Sequence, residues 1–452
     1  MKINRRQTIQ SLAGGGLILP GLISDLMAAG GNPLASRRPH FEPKAKRVIF
    51  MFMTGGVSHM DTFDPKPYLN QNHNKKTGKG NRFYKGADWA FRRHGQSGTE
   101  VSELFPHIGS MMDDICVIRS MKNINGDHFG ATIGIHTGSA TFKRPSIGSW
   151  VSYGLGTDNA NLPSFMVIAP GLPYAGGQVW GSDFLPVLHQ GTRIIPGAEP
   201  ISNMHRRTAM AEMQEAELGL LQFFNRQHLK GRESDPHLMA RIKSFETAYG
   251  MQAEAPEAFD LTRETDATHR LYGLKRGDTE GFGWQCMVAR RLAERGVRFI
   301  ELIDGDTRID YNWDTHANMS NYNKLARNVD QPIAGLLKDL KSRGMLEDTL
   351  VVFATEFGRG PYQPAPGVSG REHHARAFSC WLAGARVKGG MVHGASDEVG
   401  FDVAEDLVTV HDFQATILHL LGIDHERLTY RHAGRNFRLT DVHGNVVRPI
   451  LA

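Results

Sequence analysis

The chain has 452 residues, 40% of them hydrophobic and 22% charged, with a formal net charge of +5. That length can bury a large core in one to three domains, and that composition belongs to a soluble globular protein. No Lys/Arg run resembles a nucleic-acid arm, so nucleic acid is excluded as an expected partner. Cys116, Cys286 and Cys380 are scattered in apolar contexts. They read as buried small hydrophobes, which excludes a disulfide framework or a zinc knuckle.

Residues 1–29 read as a twin-arginine export signal. Arg5 and Arg6 precede an apolar, glycine-rich run from Leu12 to Met27, and Ala28 and Ala29 supply a small-residue cleavage region. The run contains Pro20 and Asp25 and is too short and weak to span a membrane. An amphipathic helix that stays attached is the other reading. The expected location is periplasmic or secreted, and export of an already folded chain suits a metalloenzyme loaded beforehand. A basic linker over 30–46 leads into a single α/β domain, 47–452.

The continuous apolar run Arg47 to Met53 predicts a central strand. It ends in Thr54-Gly55-Gly56, after which His59 and Asp61 emerge. A His and an Asp two apart can share one metal, or one can orient the other. An Asx-type turn capped by Asp61 and Asp64 is the alternative. From 66 to 98 the sequence is polar and basic, with Lys66, Lys75, Lys76, Lys79, Arg82, Lys85, Arg92 and Arg93 against Asp88. Such a loop either attracts an anionic substrate or is a solvated excursion.

A second strand, Ile115 to Ile118, runs into Arg119. Asp127 or Asn125 then caps a short helix closing at Gly138, with His128 and Thr132 in its first turns. A third strand is expected over 162–168. Apolar positions Met210, Met213, Leu218, Leu221, Phe224, Met239, Ile242 and Phe245 predict a helical insertion at about 204–250. A helix over 280–295 and a strand over 297–302 follow. Alternating strands and helices argue for one α/β domain with an insertion.

Next comes Asp314-Thr315-His316, repeating the spacing of two. Leu325, Val329, Ile333, Leu336, Leu337 and Leu340 mark an amphipathic helix. The apolar run Leu350 to Ala354 then ends abruptly at Thr355-Glu356, as a buried parallel strand does when it delivers a carboxylate to the carboxyl edge of a sheet. Past Arg359 the loop reaches Arg371, His373 and His374 before a strand at 378–383. Adjacent histidines project differently, so one of the pair is the expected ligand. Several strand ends thus carry Asp or Glu with His nearby, which predicts a metal site. Imidazole mixed with carboxylate suits zinc, manganese or iron better than calcium.

The segments GGVSHMDTFDPKP, WDTHAN, DTLVVFATEFGR and GREHH resemble the bacterial sulfatase-like family called domain of unknown function 1501, placed with the alkaline phosphatase and sulfatase superfamily. The resemblance covers nearly the whole mature chain. It implies an α/β three-layer sandwich around a central, mostly parallel sheet, and one or two divalent metals, zinc first. Glu356 stands where the metal-binding Asp of a sulfatase strand lies, and Asp61 where the first-strand metal Asp lies. Asp314 and His316 match the ligands of the phosphatase's other metal, and His373 or His374 its late His. His128 takes the nucleophile position, and Thr132 lies near the usual Arg.

Two departures stand out. No cysteine has the context needed for formylglycine, and Phe357 replaces a usual His ligand, which His59 would supply instead. The implied function is an exported metal-dependent hydrolase of a sulfate or phosphate ester on a polysaccharide or other extracellular material. His128, Thr132 and Arg359 form its expected catalytic group, and Arg119 and Arg371 its anion-binding residues, with Arg359 also facing the developing charge. The alternative is a non-catalytic periplasmic metal- or glycan-binding protein that retains the fold.

Overall fold

In the run Arg47–Met53 every residue after the first is buried. Its side chains divide by parity: Ile49, Met51 and Met53 enter one apolar cluster, Val48, Phe50 and Phe52 another. A strand covered on both faces has no polar side to show, which is why its sequence does not alternate. The computed structural model describes residues 34–452 except 79, 81, 203, 205–210, 233–234 and 309–310. The export signal expected at 1–29 therefore lies outside the described residues, as do Lys79 and Met210.

The elements that build the core follow in chain order. They are β1 (Arg47–Met53), β2 (Ile115–Lys122), α1 (His128–Thr137), α2 (Ile147–Leu155), β3 (Phe165–Ile168) and β4 (Thr192–Ile194). The helical insertion is α3 (Ala211–Leu229) and α4 (Pro236–Phe259), the latter reaching past the expected boundary. Then come α5 (Gly281–Glu294), β5 (Phe299–Asp304), α6 (Tyr322–Ser342), β6 (Thr349–Ala354), β7 (Phe378–Ala383), β8 (Met391–His393), β9 (Val408–Thr409) and α7 (Val410–Leu420).

Nine strands form one sheet in the order β8-β2-β7-β6-β1-β5-β3-β4, with β9 also pairing β2. All neighbours are parallel except β7, which runs against both β6 and β2. One face is covered by α4, α5 and α6, the other by α1, α2 and α7. The result is a three-layer α/β/α sandwich with a mostly parallel sheet. All three cysteines are buried within it. No helix among the described residues is long and apolar enough to cross a membrane.

Two expectations change. β2 continues through Arg119 to Lys122, so Arg119 lies inside a strand instead of following it. The basic segment 66–98 is folded: it holds a helix, Pro67–Gln71, a strand that pairs Tyr84 with Tyr362, and a hairpin joining Phe91–His94 to Thr99–Ser102. Two of its lysines turn inward. Lys85 is buried and pairs with Asp88, and Lys66 lies 3.0 Å from buried Asp64.

This topology decides where chemistry collects. The parallel strands β1, β2, β5 and β6 end at one edge of the sheet, and reversed β7 begins there.

Candidate metal centre

Each polar group at that edge is held by a local device. α1 starts where Asp127 accepts the Gly130 N–H at 2.9 Å and stops at Gly138, whose φ of +69° is a left-handed helix end. His128 is therefore fixed at the first turn. Gly55, after β1, has a φ of +111°, and a Cβ there would sit 2.6 Å from the Asp314 nitrogen. Only glycine lets the β1 loop press against the loop that carries Asp314. Gly370 does the same for the next loop, since a Cβ there would meet the His316 carbonyl at 1.7 Å.

His128, Asp314 and His373 bring one donor atom each to within 4.8 Å of one another. His373 Nε2 lies 3.2 Å from Asp314 Oδ1, and His128 Nε2 3.1 Å from Oδ2. His316 adds a fourth: its Nε2 is 2.9 Å from Asp314 Oδ1 and 2.8 Å from His373 Nε2. The far nitrogen of every ring faces an acceptor. His128 Nδ1 meets Glu356 Oε1 at 2.8 Å, His316 Nδ1 meets Glu372 Oε2 at 3.1 Å, and His373 Nδ1 meets the Gly126 carbonyl at 3.1 Å. With hydrogen on Nδ1, each ring turns its Nε2 lone pair toward Asp314.

Such a crowd of acceptors is relieved by a proton or by a cation. His128 Nε2 makes the point: it is close to Asp314 but out of line for a hydrogen bond, and is a buried nitrogen with no hydrogen-bond partner among the described residues. These residues fit a divalent metal.

The electrostatics agree. Burial pulls the His128 pKa down, and the close carboxylates of Asp314 and Glu356 outweigh it, leaving the value raised. Burial alone would raise Asp314, yet contacts from His128 and His373 and the charge of Arg359 hold it well below the carboxylate range. The His128 ring stacks on Tyr174, centroids 3.9 Å apart at 8°, and the Tyr174 hydroxyl donates to Asp314 Oδ2 at 3.2 Å.

The family model described as "Protein of unknown function (DUF1501)" matches residues 45–451. The chain belongs to the DUF1501 family. No curated protein matches it. Solved structures similar to this DUF1501 chain include the PsFucS1 sulfatase from Pseudoalteromonas sp., at 13% identity and a TM-score of 0.36, over 91% of this chain and 73% of that one. The phosphonate monoester hydrolase SpPMH from Silicibacter pomeroyi is another, at 11% identity and TM-score 0.35, over 77% and 71%. The alkaline phosphatase of the Antarctic bacterium TAB5 shares 12% identity at TM-score 0.30, over 77% and 95%.

The other sequence-predicted residues of the DUF1501 chain are engaged elsewhere. Glu356 is fully buried and stands behind His128: its Oε1 also accepts the Gly55 N–H at 2.8 Å, and its Oε2 the Thr355 hydroxyl at 3.1 Å. Asp61 is buried against Arg371, with Nε 2.6 Å from Oδ2 and Nη2 3.2 Å from Oδ1. His59 Nε2 lies 3.0 Å from the Gly400 carbonyl, and burial lowers its pKa to about 4. His374 turns to the Phe401 carbonyl, and burial lowers it too. Thr132 is buried one turn beyond His128, its hydroxyl without a hydrogen-bond partner among the described residues.

The three arginines are clamps. Fully buried Arg359 donates to the carbonyls of Gly55, Gly56, Arg371 and Trp313 and to Asp314 Oδ1 at 2.7 Å. Arg371 holds Asp61 and the carbonyls of Lys85, Gly86 and Gly360. Arg119 donates to the Phe63 carbonyl at 2.7 Å and to that of Glu100. Sequence reasoning missed Tyr174 and the orienting role of Glu372. Tyr174 lies in an irregular stretch with no spacing signal, whereas Glu372 sits beside the histidine pair in GREHH.

Proposed function

We propose that this chain is a metal-dependent hydrolase of an anionic ester, a sulfate or phosphate ester carried on a polysaccharide or similar extracellular material. One observation carries the reading: three imidazole Nε2 atoms converge on Asp314 while each ring's Nδ1 is held by its own acceptor. His128, Asp314, His316 and His373 would hold one divalent ion, and their imidazole-rich set suits zinc. When bound, the ion supplies polarisation of the ester oxygen and a lowered pKa for water at neutral pH.

The chain's own groups do the rest. Glu356 and Glu372 fix the tautomers of His128 and His316 and raise their basicity. Arg359 anchors Asp314 to the β1 loop, so the carboxylate cannot swing away. Since the His128 pKa is raised, protons compete with the ion for that ring. The motif resemblance to sulfatases supports the ester chemistry.

A specific observation favours the second reading, a metal- or glycan-binding protein. Arg119, Arg359 and Arg371 are all committed to internal partners, so none of the three faces the cluster as a free charge stabiliser. The test is elemental analysis of protein purified without chelator, with aryl sulfate and aryl phosphate assays on the wild type and on Asp314→Asn. The hydrolase reading expects about one metal per chain and turnover that Asp314→Asn abolishes. A metal ratio well below unity sinks it, and bound metal without turnover of either ester selects the binding protein.

A further inference from the structure

The helical insertion presents a surface that the metal centre does not use. Met213, Leu220, Leu221, Phe223 and Phe224 of α3 are between 44% and 58% exposed. Apolar residues grouped this way on a soluble protein mark an interaction site. The partly buried positions of α3 include Gln214, Leu218, Asn225 and Leu229, and Gln214 meets Gln252 of α4 at 2.6 Å. That seam faces the body of the protein. On the far side Met213, Ala216, Leu220 and Phe223 recur at spacings of three, four and three, the pattern of a helix that packs against a second helix.

The charges say what that second helix is. Glu212 and Glu215 lie along one flank of the stripe in its first half, and Arg226 lies on the same flank in its second half. Glu217 and His228 divide the other flank in the same way. The ion pairs formed among the described residues engage none of Glu212, Glu215, Glu217 and Arg226. The first flank therefore runs from acid to base with the chain direction, and on the second His228 lies 3.0 Å from the Arg232 guanidinium. Turned end for end, the helix is its own electrostatic complement.

We propose that α3 is the interface of a homodimer, packing antiparallel against α3 of a second copy about a two-fold axis near Leu220. The contact is isologous, so each acid–base pairing occurs twice. A membrane surface or an unrelated apolar partner would not require the two halves of the helix to carry opposite charge.

Sedimentation equilibrium of the purified chain over a dilution series tests this. The wild type is expected to be a dimer that dissociates on dilution. Leu220→Asp with Phe223→Asp is expected to be monomeric, with unchanged circular dichroism and metal content. Glu212→Arg with Glu215→Arg makes that flank basic throughout and is expected to weaken association about tenfold, because the change acts twice. Adding Arg226→Glu reverses the flank's order while keeping it self-complementary, and is expected to restore the dimer. A monomer at every concentration, a dimer unmoved by the double aspartate variant, or no restoration by the charge swap would overturn the proposal. None of these readouts depends on hydrolase activity.

Discussion

At Glu356 a carboxylate that ends a buried strand works through a histidine. Its Oε1 accepts from both the Gly55 N–H and His128 Nδ1, each at 2.8 Å. Glu356→Gln keeps an oxygen for those contacts and removes only the charge. The expected outcome is a folded protein whose metal affinity falls roughly 10- to 100-fold, measured by competition with a chromophoric chelator. Unchanged affinity would show that Glu356 does not set the basicity of His128. Arg359 has a different task, bridging the carbonyls of Gly55, Gly56 and Trp313 to Asp314. Arg359→Ala removes a guanidinium from Asp314 and leaves several buried carbonyls unsatisfied, a loss of about 1–3 kcal/mol for each group left unpaired. Arg359→Lys is expected to recover little of it, because a single ammonium cannot reproduce the guanidinium fork. Urea unfolding of the two variants separates this structural role from a role confined to turnover.

Among the elements, the loops after β1 and β5 and before β7 interlock by close backbone approach. Gly370→Ala places a Cβ 1.7 Å from the His316 carbonyl carbon's oxygen, so one loop must move. The expected outcome is loss of metal binding with little change in overall circular dichroism, because the displacement falls on His316 and His373 and leaves the sheet intact. The elements themselves were largely legible in the sequence. β1 and β6 announce themselves as continuous apolar runs, and α6 as an apolar stripe whose residues are all buried. β2 was harder: Arg119 reads as the end of an apolar run, yet the backbone ladder continues through Met121 to Phe378 and Val408, and the Arg119 Nε bonds the Phe63 carbonyl. The spacing of two picked out Asp314 and His316, but it picked out His59 and Asp61 equally, and those two pair elsewhere. The place of Asp61 was hidden, since its partner Arg371 lies 310 residues away and such a pairing leaves no local trace.

For the whole molecule, two buried histidines set the response to acid. Burial lowers the pKa of His59 to about 4 and that of His189 to about 3, from 6.5. Between 6.5 and those values the unfolded chain binds more protons than the folded one, so stability falls as pH drops through that window. Asp304 opposes this below pH 6: burial raises its pKa from 3.8 to about 6, so its contribution is present in acid and is lost as pH rises. His189→Gln keeps a partner for the Ser152 hydroxyl, 2.9 Å away, and removes one of the two titrating rings. Its urea midpoint is expected to decline less steeply with acidification than that of the wild type, and an identical decline would exclude His189. The reversed strand β7 has a consequence of its own. A parallel β7 would start at the opposite rim, about 20 Å away at ~3.3 Å per residue. His373 would then have to cross the thickness of the molecule to join residues that lie far earlier in the chain. Turning one strand lets a late segment reach the shared rim before it enters the sheet, so the candidate centre assembles only when segments as far apart as His128 and His373 have met. Under the proposed metal reading, occupancy gauges whether those distant segments have come together.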